Sequence, residues 1–395
     1  MPTINVTQDS DYSGSNYIIV FLPNFFNDFP AENLVVQFNS ALSRFEILDS
    51  GGTHAGLYTN EGFGPVDATP GTGGYFYDFS DRTGAVTIQG GDFGDIITGG
   101  AGVNTLSGGF GNDTLNGGAA NDYLEGGEGA DFIFGNGGVD TVAYTGSLAG
   151  VTVNLDTGIN SGGDAGGDVL TGISRIIGSA HEDVLTGDGA ANTLIGGSVY
   201  DSLFGGGGND RLVVSGTPTI VDGGTGTDIM IVTGPSLFAD QTFENIDKVY
   251  VRNSGSADFS LVTSAQTIVS QSTADNTAII IGSQAGDRIY GGGGADILVG
   301  GAGKDKMFAG SGSDAFTYLS DLPGGFGRDN IYRFDALSDR FNVEGIVDSF
   351  AEVNIRSINK NQDTEITFAT STNPDDKIIL HDVLSSTLTV DNFLI

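Results

Sequence analysis

Thirteen aspartates recur at one fixed place in sixteen nine-residue units, and this spacing is the feature of the chain most able to do chemistry. From Gly90 to Ala143 the units run without insertion as GGDFGDIIT, GGAGVNTLS, GGFGNDTLN, GGAANDYLE, GGEGADFIF and GNGGVDTVA. The frame returns from Gly178 to Ile231 and from Gly282 to Thr317. The sixth place holds Asp95, Asn104, Asp113, Asp122, Asp131 and Asp140, then Asp183, Asn192, Asp201, Asp210, Thr219 and Asp228, then Asp287, Asp296, Asp305 and Asp314. Asp accounts for only 40 of 395 residues, so chance does not produce this phasing. Glycines at the first, second and fourth places let the backbone curl its carbonyl oxygens toward one point. In the first block these candidate carbonyl donors include Gly108, Gly109, Gly111, Gly117, Gly118, Gly126, Gly127 and Gly129. In the second they are Gly196, Gly205, Gly206, Gly208, Gly223 and Gly226, and in the third Gly291, Gly292, Gly294, Gly300, Gly301, Gly303, Gly310 and Gly312. A short carboxylate added to such carbonyls makes an all-oxygen cage, which suits Ca2+ better than Mg2+ or zinc.

The elements that must hold these turns are very short strands. Place eight is apolar in every unit, beginning with Ile97, Leu106, Leu115, Leu124, Ile133 and Val142. A three-residue strand with one inward side chain cannot stand alone, but many of them stacked in register bury a continuous apolar ladder. The expected fold class is therefore all-β, a parallel β-roll (β-solenoid) with β caps at both ends.

The repeat GGxGxDxUx, with U apolar, resembles that of the RTX (repeats-in-toxin) secreted bacterial calcium-binding proteins. The resemblance implies two units per coil, so that each turn faces the turn eighteen residues later. It then pairs Asp95 with Asp113, Asn104 with Asp122, Asp113 with Asp131 and Asp122 with Asp140. It also pairs Asp183 with Asp201, Asn192 with Asp210, Asp210 with Asp228, Asp287 with Asp305 and Asp296 with Asp314, about nine Ca2+ sites in all. The pairing of Asp201 with Thr219 is expected to be weak or empty, because Thr219 brings no carboxylate. Asp228 is expected to end its run of pairs. The family also implies export through a type I secretion channel that reads an uncleaved C-terminal signal.

Charge and composition agree with an extracellular calcium protein. The formal charge is −35, from 50 acidic and 15 basic residues. Without metal the turn carboxylates repel one another, so folding is expected to wait for Ca2+. Nucleic acid and anionic membranes are poor partners for so acidic a chain. There is no cysteine, which removes disulfides, thiolate catalysis and Cys-type zinc sites together. The start, MPTINVTQDSDYSG, lacks the basic and apolar regions of a signal peptide, and no apolar run is long enough for a transmembrane segment.

In chain order, residues 1–80 are expected to form an N-terminal β cap or binding module, with strands at Tyr17 to Leu22, Leu34 to Phe38 and Arg44 to Leu48. Phe25, Phe26, Tyr75 and Tyr77 would be the exposed aromatics of a binding module. Residues 81–143 form the first block, opening on the carboxylate-free unit DRTGAVTIQ, and 144–177 form a spacer in which Val169, Leu170, Ile173, Ile176 and Ile177 resume the ladder. The loop holding Asp164 and Asp168 could bind another ion, though a solvated Gly-Asp turn is the preferred reading. Residues 178–231 form the second block, 232–281 a metal-poor continuation, and 282–317 the third block. Residues 318–395 are expected to close the roll with alternating strands and to carry the secretion signal in LTVDNFLI.

No catalytic constellation competes with the metal reading. His54, His181 and His381 lie far apart, and neither HExxH nor G-x-S-x-G occurs, which removes the zinc protease and lipase signatures. The paired carboxylates are better explained as calcium ligands than as a glycosidase pair. The leading expectation is a non-enzymatic structural or adhesive protein of the bacterial surface or extracellular matrix, with a cell-surface polysaccharide as a partner. The alternative is a secreted enzyme or toxin-like effector that uses the repeats as an export and folding module.

Overall fold

The computed structural model describes residues 76–395 except 81, 82, 92, 199, 320–324 and 372, together with the backbone of four short strands nearer the start. These divide into two compact units, Met1–Gly197 and Ser198–Ile395. Phe25, Phe26 and Tyr75, and the side chain of His54, lie outside the described residues.

Both units are built by the same rule. Within the repeats, most of the short strands pair in parallel with the strand about eighteen residues later, in register, so place eight stacks on place eight. In the first unit Ile97 sits on Leu115 and Leu115 on Ile133 along one wall, while Leu106 sits on Leu124 and Leu124 on Val142 along the other. All six are fully buried. The chain is all-β, a parallel β-solenoid, because a Gly-rich turn after every short strand leaves no span long enough for a helix. Among the described residues no helix is long and apolar enough to cross a membrane.

The spacer continues the walls as the apolar pattern predicts. Val169–Thr171 adds to Phe132–Asn136, and Ile173–Ile177 adds to Asp140–Ala143. Thr152–Asn154 pairs with Val184–Thr186, with Val151 and Val153 buried. The second unit likewise runs on through the glycine-poor stretch, where Met230, Val249, Ile268, Ile289, Met307 and Ile331 stack along one wall.

At the two ends the pairing turns antiparallel. Near the start, Leu34–Asn39, Arg44–Leu48 and His54–Tyr58 pair antiparallel, and Leu34–Asn39 lies parallel to Val86–Gln89. Near the other end Val353–Ile358, Asp363–Phe368 and Lys377–Leu380 form an antiparallel meander whose last strand pairs with Arg328–Tyr332. Tyr77, expected among the exposed aromatics, is instead fully buried, because Phe76–Asp78 is already a rung paired with Ile96–Thr98.

Candidate metal centres

Every Asp and Asn of place six is buried, with relative exposure between 0 and 3%. This is unusual for short polar side chains in turns, which ordinarily face water. Their hydrogen bonds explain the burial. Oδ1 of Asp113 accepts the backbone N–H of Asp95 at 2.6 Å, and Asp131 does the same for Asp113, and Asp140 for Asp122, each at 2.7 Å. The pattern recurs where Asp228 accepts from Asp210, Asp305 from Asp287 and Asp314 from Asp296. The eighteen-residue pairing therefore brings these residues together, one carboxylate capping the turn of the preceding coil. Asp183 and Asn192 belong to the first unit and Asp201 and Asp210 to the second, each buried in its own turn.

The second carboxylate oxygen is the informative one. Oδ2 of Asp113, Asp131, Asp140 and Asp314 is buried with no hydrogen-bond partner. A lone carboxylate oxygen sealed from water carries a desolvation cost of several kcal/mol unless a proton or cation answers it. Burial accordingly pushes Asp113 up to about 8 and Asp131 and Asp314 up to about 7, against an ordinary value near 4. The space beside that oxygen is lined by oxygen: a methyl group on Gly108 would collide with Asp113 Oδ2 and with the carbonyl of Gly126, one coil on. The same cradle recurs at Gly205 with Asp210 and Gly223, and at Gly282 with Asp287 and Gly300, where Asp287 Oδ2 also accepts the Ser283 N–H. Among the described residues no three acidic or histidine side chains converge, so carbonyls must supply most of any coordination shell. The donor set, one carboxylate plus several carbonyls per turn, fits Ca2+.

Glycine at the fourth place is required by geometry. Gly129 has φ of +152°, and a methyl there would overlap the carbonyl of Gly111 in the coil before. Gly129→Ala should therefore cost about 2 kcal/mol or more and lower the melting temperature in Ca2+ by several degrees. An unchanged melting curve would show that the coils are not in this close contact.

Not every expected ligand turn is alike. The side-chain amide of Asn104 donates from Nδ2 to the carbonyls of Gly117 and Gly100, at 2.8 and 3.1 Å. A nitrogen donor thus stands where the aspartate turns present an oxygen. Thr219 is exposed, and its hydroxyl donates to the carbonyl of Tyr200, leaving its turn without a carboxylate. His181 is exposed, and His381 stacks on Tyr332 at 4.3 Å, shares a hydrogen bond with Asn330 and lies 3.5 Å from the Asp363 carboxylate.

The ladder also extends beyond the residues that the repeat pattern singles out. Asp168 does not sit in a solvated turn: it is 2% exposed, its Oδ1 accepts from Asp131 N–H, and its Oδ2 accepts from the Tyr144 hydroxyl. Asp228 is not terminal either, since Asp247 accepts its N–H at 2.7 Å. In the segment expected only to close the roll, Asp329 caps Asp305 and Asp339 caps Asp314. Residues 324–332 read GGFGRDNIY, a complete unit with Asp329 at place six, displaced by six inserted residues. Asp339 heads a further turn in FDALSDRFN, without the glycines. Allowing a frame shift after Thr317 would have found both.

A parallel solenoid whose turns bury aspartate oxygens among backbone carbonyls has the donor set of a metal-stapled repeat protein. Five stretches, residues 87–115, 107–142, 162–203, 186–216 and 281–316, match the family model of the RTX calcium-binding nonapeptide repeat, a model four copies long, so the chain carries RTX calcium-binding repeats. No curated protein matches the chain. Among solved structures, the AlgE6R3 subunit of the Azotobacter vinelandii mannuronan C5-epimerase is 26% identical, over 30% of this chain and 72% of its own, with a TM-score of 0.25. The extracellular lipase LipA from Serratia marcescens is 16% identical, over 80% of this chain and 40% of its own, with a TM-score of 0.21.

Proposed function

We propose that this protein is a secreted calcium-folded β-roll with a structural or adhesive, non-enzymatic role at the bacterial surface or in extracellular matrix. The observation that supports this best is the stack of buried carboxylate oxygens without partners, which makes the metal-free roll self-repelling and the calcium-filled roll neutralised. Asp113 would hold one ion with the Gly126 carbonyl, and the other aspartate turns would act alike. Asp168, Asp329 and Asp339 would join the nine expected pairs, while the Asn104 turn would depend least on metal. Ca2+ supplies positive charge to the turns; the chain's own part is to present oxygens in register and to exclude water from them.

In a low-Ca2+ cytoplasm such a chain stays largely unfolded, as passage through a type I secretion channel requires. Extracellular Ca2+ then drives folding, with Kd on the order of 10⁻⁴ to 10⁻³ M. Far-UV circular dichroism during a Ca2+ titration, with Mg2+ as control, tests this. A cooperative gain of β signal with Ca2+ alone is expected. A full β spectrum in metal-stripped protein at neutral pH would remove Ca2+ as the folding switch.

A further inference from the structure

The second unit holds most of the chain's positive charge, and four of its cations share one wall of the solenoid. Of the 15 Lys and Arg residues, 12 fall in residues 198–395. One wall is formed by the triplets Arg211–Val213, Ile229–Ile231, Lys248–Tyr250, Thr267–Val269, Arg288–Tyr290, Lys306–Phe308 and Asn330–Tyr332, joined in register. The middle residue of each points into the core, so the first and third form two outward columns, except at Ile231, which is buried. The first column holds Arg211, Lys248, Arg288 and Lys306, and the second holds Tyr250, Tyr290, Phe308 and Tyr332. Neither column contains an acidic residue, in a chain where acids outnumber bases 50 to 15.

This arrangement is not what stability alone would select. Arg288 and Lys306 are direct cross-strand neighbours, and like charges so placed destabilise a sheet where alternating signs would support it. Among the described residues, none of the four cations has a carboxylate within ion-pair distance. Their charge is available to a ligand.

From Tyr250 to Tyr332 the aromatic column is interrupted at one coil, by Val269. From Tyr290 upward the rings stack on each other, Tyr290 on Phe308 at 4.5 Å, Phe308 on Tyr332 at 4.8 Å, and Tyr332 on His381 at 4.3 Å. Between Tyr250 and Tyr290 the short side chains Thr267 and Val269 leave a notch of about 400 Å³, lined by Lys248, Thr267, Val269, Arg288 and Tyr290. Its walls are two strand spacings apart, about 9.5 Å. One wall carries Lys248, whose Nζ lies 4.7 Å from the centre of the Tyr250 ring, and the other carries Arg288 beside Tyr290.

We propose that this notch binds an anionic sugar unit of an acidic polysaccharide, and that the cation column guides the rest of the polymer along the face. Lys248 and Arg288 would hold the carboxylate or sulfate, Arg288 through its fork of donors, while the Tyr290 ring meets the apolar face of the sugar. Two strand spacings exceed what a flat nucleobase fills and suit the thicker chair of a pyranose. Above the notch the ring faces cover one another, leaving no open platform for successive bases. This site rests on the extracellular reading above and would give that protein its matrix partner.

The test is calorimetric titration of the full chain, its fold verified by circular dichroism in saturating Ca2+, with a tetragalacturonate. A chondroitin sulfate tetrasaccharide, a neutral cello-oligosaccharide and an oligothymidylate serve as the other arms. Binding is expected for the anionic sugars only, weakened by salt; whichever of the first two binds more tightly identifies carboxylate or sulfate as the recognised group. Arg288→Ala should weaken it about tenfold or more, as loss of a charged hydrogen-bond partner does. Val269→Tyr, which fills the notch by extending a stack the neighbouring coils already carry, should abolish it without changing the spectrum. Arg175→Ala, a cation of the first unit, should leave it unchanged. Equal binding of oligothymidylate would overturn the sugar assignment, and no binding by a folded chain would overturn the site while leaving calcium-driven folding intact.

Discussion

Leu115→Asp will prevent the first repeat block from folding even in saturating Ca2+. Leu115 is fully buried between Ile97 and Ile133, directly above and below it in the ladder. Removing a buried leucine costs about 2–5 kcal/mol, and an unpaired carboxylate in its place adds several more. The sum approaches or exceeds the whole stability of a typical domain, about 5–15 kcal/mol. Ions held in the turns would not compensate, because the turns lie outside the apolar interior. Circular dichroism and limited proteolysis in Ca2+ should show loss of β signal and cleavage between residues 90 and 143. A variant that melts like the parent would mean that the ladder is not what holds the coils together.

The second large effect is on pH. In the metal-free roll, burial raises Asp113 to about 8 and Asp131 and Asp314 to about 7, whereas the unfolded chain has ordinary carboxyls near 4. The folded state therefore binds protons that the unfolded state releases. Its stability from these groups is fully present below about pH 4 and is lost as pH rises through about 7 to 8. Metal-stripped protein should show more β signal at about pH 5.5 than at about pH 8.5. Ca2+ and protons compete for the same oxygens, so Ca2+ binding should release protons into weakly buffered solution, and the half-saturating Ca2+ concentration should rise as pH falls. A Ca2+ midpoint independent of pH, with no proton release, would show that the turn carboxylates are already ionised before metal arrives.

The fold was legible because its unit is local. Nine residues contain both the turn and the strand, so place eight alone predicts the ladder from Ile97 to Val142, and these residues are all fully buried. The turns were legible for the same reason, since glycine at places one, two and four and aspartate at place six act within a single bend. Asp329 was missed only because six extra residues displaced an otherwise complete unit. Asp168 was legible only as one of two readings of its loop, because its partner Asp131 is 37 residues away and the loop between hides the register.

By itself the sequence determined the repeating rung, the polarity of each position and the oxygen chemistry of the turns, because these depend on contacts within one unit. Only the tertiary structure decided that Asp113, Asp131, Asp140 and Asp314 each spend one carboxylate oxygen on the preceding coil and leave the other buried without a partner. It also decided that Asn104 closes its own turn with a nitrogen. Lys248, Arg288 and Tyr290 are separated by a glycine-poor stretch in which the coil length varies, so no fixed period shows that they share a face. Stacking sets that neighbourhood, and the stack exists only once the coils are in register.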